Sequence, residues 1–66
     1  MQLEIDIAHY ELGLIGYRNN LTLVQAIGEL QDIEHKNAKD PEVPATSYCL
    51  GFLDGLLADI RKAARS

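Results

Sequence analysis

Apolar residues return along the second half of the chain at helical intervals. Cys49, Leu53, Leu56, Ile60 and Ala63 follow a 4-3-4-3 spacing, and Leu50, Leu53, Leu57, Ile60 and Ala64 follow an overlapping 3-4-3-4 spacing. Both seams fall on one side of a helix predicted over residues 46–65. Together they make an apolar surface wider than contact with a single helix requires. Asp54, Asp59, Arg61, Lys62 and Arg65 are left for the solvent side, and Thr46 or Ser47 offers a side-chain oxygen to cap the first turn.

Upstream, Thr22-Leu23-Val24-Gln25 has the form of a capping box, in which threonine and glutamine each bond the other's backbone N–H. It opens a first long helix over 22–38, whose apolar stripe is Leu23, Ala26, Ile27, Leu30 and Ile33, with Glu29, Asp32 and Glu34 on the polar side. Residues 39–45 between the two helices carry Pro41 and Pro44, which cannot donate backbone hydrogen bonds and which bias their predecessors away from helix. Two amphipathic helices with such a connection predict an antiparallel hairpin.

The N-terminal segment, residues 1–20, carries two patterns. Leu3, Ile5 and Ile7 alternate with Gln2, Glu4 and Asp6 as in a half-buried strand, whereas Ile5, Ala8, Leu12 and Ile15 are spaced for one face of a helix. The absence of a tight-turn glycine or asparagine in Ala8-His9-Tyr10-Glu11 favours the helix. Arg18-Asn19-Asn20 then interrupts it, because asparagine tolerates turn conformations. The expected fold is therefore all-α: one domain over 1–66, an antiparallel two-helix hairpin with a short N-terminal helix, completed by self-association.

Composition explains why completion by a second chain is expected. At 66 residues with 47% apolar and 24% charged residues the chain has the make-up of a folded domain, yet one so short buries only about 60% of its unfolded surface. Cys49 is the only cysteine, so no internal disulfide can help. The longest run without charge, Val43 to Leu53, falls far below the ~20 apolar residues of a membrane span, and Glu4 and Asp6 stand where a signal peptide needs a basic and then an apolar region. A cytoplasmic location is the default expectation. Ten acidic against six basic residues, net charge −4, has the wrong sign for duplex nucleic acid. The cluster Arg61, Lys62, Arg65 suits the last turn of a helix.

Little in the sequence points to catalysis, a metal or a cofactor. His9 and His35 have no histidine or cysteine three or four residues away, the zinc-ligand spacing, and His35 suits a helix C-terminus. Cys49 on an apolar seam reads as a small buried hydrophobe. Gly13, Gly16, Gly51 and Gly55 match no phosphate-binding loop. Gly51 and Gly55, four apart in a helix, each cost about 1 kcal/mol relative to alanine, which suggests close approach of another helix. Tyr10 and Tyr17 are seven apart and share a helix face beside Arg18, an arrangement able to stack on a planar ligand or anchor a protein.

The architecture of a two-helix hairpin in a short acidic chain is similar to that of plasmid RNA-binding bundle proteins and of phage accessory proteins that sequester cyclic nucleotides as oligomers. The likeness is one of architecture, and architecture alone does not carry function. The expected role is that of a non-enzymatic helical protein that self-associates and binds and regulates or inhibits another protein. Its expected interface is Leu50, Gly51, Leu53, Gly55, Leu57, Ile60 and Ala64. The alternative is an oligomeric binder of a small ligand such as a nucleotide, with Tyr10, Tyr17 and Arg18 lining pockets at protomer junctions.

Overall fold

The computed structural model describes residues 4–65, and all of its regular structure is helical: α1 (Ile7–Arg18), α2 (Leu23–Lys36) and α3 (Glu42–Arg65). Of the two patterns read over the N-terminal segment, the helical one is realised from Ile7 onward; Leu3, part of the strand pattern, lies outside the described residues. Asp6 caps α1 by accepting the N–H groups of Ala8 and His9. The α1 terminus is a Schellman motif: Leu21 N–H bonds the Gly16 carbonyl at 3.2 Å and Asn20 N–H bonds the Tyr17 carbonyl at 3.0 Å. That closure needs a left-handed residue, and Asn20 supplies it with φ 60°. The Thr22–Gln25 capping box then forms in both directions, at 3.2 and 3.0 Å, and α2 ends where the Asn37 side chain bonds the Ile33 carbonyl.

The third helix begins earlier than its prolines suggest. It starts at Glu42, not within a long connection over 39–45, because both prolines occupy positions whose N–H has no partner inside a helix. Pro41 accepts the first helical bond, from Ala45 N–H at 3.0 Å, and Pro44 lies in the first turn. Ser47 is accordingly not a cap. It is wholly buried mid-helix, where its hydroxyl oxygen accepts the Asp6 N–H at 2.8 Å.

Helix packing departs from the expected hairpin. The intimate partner of α3 is α1, and the two run parallel: Asp6 meets Ser47, Tyr10 meets Asp54 and Tyr17 meets Asp59, at nearly constant sequence separations of 41, 44 and 42. A parallel pair needs a return segment, and α2 provides it. Its 14 residues cover about 21 Å against the roughly 26 Å that α3 climbs from Glu42 to Asp59. Glycine lets α1 and α3 touch backbone to backbone. A Cβ on Gly51 would overlap the Tyr10 carbonyl and lie 3.0 Å from Leu14 N, and one on Gly13 would overlap the Tyr48 carbonyl and lie 2.9 Å from Phe52 N.

Against that close seam, α2 stands off. The molecule measures 45 × 30 × 15 Å, so its shortest dimension is little more than the ~10–12 Å diameter of one helix. Domains ordinarily bury their apolar faces between two packed layers. Here Ile33 and Tyr48, at 8% and 2% exposure, are the only buried hydrophobic side chains among the described residues.

Candidate functional site

Three tyrosines fasten the helices together. Tyr10 donates its hydroxyl to Asp54, Tyr17 to Asp59 at 2.7 Å, and Tyr48 to Glu29 at 2.6 Å. Each pairing holds the phenol above its ordinary value of 10.0. For Tyr10 and Tyr17 the hydrogen bond to the carboxylate is the main cause; for Tyr48 burial comes first and the Glu29 bond second. The Tyr17 ring also stands edge-on to Phe52, centroids 5.5 Å apart at 84°. Their acceptors are fixed by helix geometry, since Asp54 and Asp59 lie on the two flanks of the α3 strip occupied by Gly51 and Gly55.

The sequence-derived ligand trio is not brought together. Tyr17 and Arg18 border a shallow cleft of about 240 Å³ with Asn20 and Asp59, whereas Tyr10 borders a different hollow with Ile5, Ile7 and Asp54. Their shared helix face is spent on α3, which takes both hydroxyls.

The expected interface residues divide in two. Gly51 and Gly55 are buried, but the close approach they permit is made by α1 of the same chain; a Cβ on Gly55 would lie 2.7 Å from the Tyr17 ring. Leu53, Leu57, Ile60 and Ala64 are exposed, and Leu50 is half-buried. Their seam continues into a groove of about 220 Å³ between α2 and α3, walled by Leu23, Ala26, Ile27 and Leu30 on one side and Tyr48, Cys49, Phe52 and Leu53 on the other. Leu23 at 73% and Leu53 at 55% exposure show how open it is. Cys49 is exposed on this wall and not buried as its seam suggested, because the seam faces outward.

The predicted apolar face of α1 is likewise uncovered. Ile5, Ala8, Leu12 and Ile15 are all exposed, since α3 packs on the opposite, glycine-bearing side. Gly13 and Gly16 were the signal for that contact: three apart on α1, they face Ser47, Gly51 and Gly55, four apart on α3, as small residues one helical turn from each other on both helices.

Chemically reactive groups do not converge. His9 Nδ1 lies 2.8 Å from the cap residue Asp6, whose carboxyl is held below its ordinary value first by that bond, while His35 is exposed in the last turn of α2. Among the described residues no group of three histidine, cysteine or acidic side chains is placed to hold a metal, and no helix is long and apolar enough to cross a membrane. No family model, no curated protein sequence and no solved structure matches the chain.

Proposed function

We propose that the chain is a small helical interaction protein without enzymatic activity, a homo-oligomer that binds and regulates or inhibits another protein. One observation carries this reading: a continuous aliphatic surface runs from Leu23 and Ile27 across the α2–α3 groove to Leu53, Leu57 and Ile60, each 41–73% exposed. Isolated exposed leucines are ordinary, but contiguous ones beside only two buried hydrophobic side chains among the described residues mark a surface made to be covered. Light scattering across a micromolar concentration series tests the oligomer, and a folded monomer throughout would refute it. Affinity capture from the native host, repeated with an Ile60→Asp variant, tests the target; a protein retained by the oligomer and lost with the variant is expected.

A second reading is favoured by the cleft beside Tyr17, where Arg18 and Asp59 place opposite charges next to an aromatic ring. A small planar anion is the ligand class such a site would take. A panel of nucleotides in a thermal-shift assay tests it, since a ligand bound only by the folded state raises the melting temperature. No shift with any nucleotide would dismiss it.

A further inference from the structure

From Leu56 to Arg65 every residue of α3 is exposed. Asp59, which accepts the Tyr17 hydroxyl at 2.7 Å, stands level with the last turn of α1, and α3 continues from there to Arg65, about 9 Å further along its axis. Its apolar residues are arranged with an internal symmetry: Cys49, Leu50, Leu53 and Leu56 are mirrored by Ala64, Ala63, Ile60 and Leu57 about the midpoint of Leu56 and Leu57. A helix with this pattern presents the same apolar face when it is turned end for end. In an antiparallel two-fold contact it sets each apolar position level with an apolar position of the partner.

We infer that a second copy of this chain covers the face, through an antiparallel crossing of α3 on α3 centred between Leu56 and Leu57, which seats the extended end of each α3 against the α2–α3 groove of the other. The inference rests on the self-association proposed above and adds its geometry. Charge supports the antiparallel sense. Asp54 and Arg61, seven apart, lie on one flank of the seam formed by Leu50, Leu53, Leu57, Ile60 and Ala64. Antiparallel helices bring equal flanks together, setting Asp54 beside Arg61 of the partner subunit; a parallel pair would set those charges against Cys49 and Leu56.

Area and depth fit as well. A standard interface covers about 800 Å² per partner, which is about 15% of this chain's 5239 Å². Two single layers of helix laid face to face give the two-layer architecture that one copy lacks.

The lone cysteine makes the geometry testable. With the crossing centred as stated, Cys49 meets position 63 of the partner, which lies on the same flank as Cys49 and Leu56. Within one chain the two positions are 14 residues apart on a helix, about 21 Å, far beyond disulfide reach. The full chain carrying Ala63→Cys is oxidised, and the products are identified by non-reducing electrophoresis and peptide mass spectrometry. A covalent dimer joined between positions 49 and 63 is expected, with none from the wild-type chain or from the Cys49→Ala/Ala63→Cys variant. Ile60→Asp is expected to weaken dimerisation about 100-fold or more, because the substitution acts twice in a two-fold interface, while Leu12→Asp on α1 leaves it unchanged. A dimer that links only 49 to 49 or 63 to 63, or that Leu12→Asp dissociates, overturns this geometry while leaving self-association standing. A wild-type chain that stays monomeric at about 100 μM overturns both.

Discussion

Replacing Gly51 by alanine and Gly28 by alanine should move stability in opposite directions, though both substitutions add one methyl to a helix. A Cβ at Gly28 meets nothing within 4 Å, so the variant keeps only the gain of about 0.5–1 kcal/mol from lower backbone entropy in the unfolded chain. At Gly51 the same gain is offset by overlap with the Tyr10 carbonyl and a 3.0 Å approach to Leu14 N. Both neighbours are backbone and cannot swing aside. The helices must part, and forced overpacking typically costs about 1–3 kcal/mol. The two variants should therefore differ by about 2 kcal/mol or more, which for a domain of this size is a split of roughly 10 °C in Tm. Thermal unfolding followed by circular dichroism at fixed protein concentration reads it. A further check lies in coupling. Gly13→Ala wedges open the same crossing, so Gly13→Ala combined with Gly51→Ala should cost less than the sum of the two. If Gly51→Ala stabilises as much as Gly28→Ala, the glycine contact between α1 and α3 is absent.

Asn20→Ala should lose about 1 kcal/mol, the cost of a β-carbon in the left-handed region, while Asn20→Gly should match or exceed the wild type; equal unfolding midpoints for both variants would argue against the Schellman closure. Tyr48→Phe removes the hydroxyl that ties α3 to Glu29 and should cost about 1–2 kcal/mol in urea titration, with Glu29→Gln costing less because an amide oxygen can still accept; no change in either would mean α2 is not held there. Stability should also fall in alkali. The three tyrosines are raised in the folded state by carboxylate bonds, and for Tyr48 first by burial. Their contribution is thus intact below 10.0, the unfolded value, and is lost as pH climbs through the higher folded values. Unfolding midpoints that stay flat from about pH 9 to 11.5 would contradict those bonds.

Local signals in the sequence translated directly into structure. The Thr22–Gln25 box, the break at Asn19-Asn20 and the helical phase of Leu53, Leu56 and Ile60 each depend on residues within one or two turns, and each formed as read. What was hidden depends on which faces meet. Apolar spacing put Ile5, Ala8, Leu12 and Ile15 on one face of a helix, but α3 packs on the side bearing Gly13 and Gly16, where backbone contact replaces side-chain burial. Gly51 and Gly55 did announce a close neighbour; nothing in their spacing could say that it came from the same chain. The prolines misled because Pro41 and Pro44 break a helix interior yet fit a helix start. Cys49 was placed inside because it belongs to an apolar seam, and the seam turned out to face water. In a molecule one layer thick, periodicity locates apolar stripes without telling which of them the chain itself covers.

Completion of this surface by a second copy is decided by sedimentation equilibrium of the wild-type chain beside Ile60→Asp. The wild type should sediment at twice the chain mass of 7.3 kDa and the variant, still helical, at 7.3 kDa. A wild-type chain that remains at 7.3 kDa at about 100 μM, with its apolar face open to water, would contradict it.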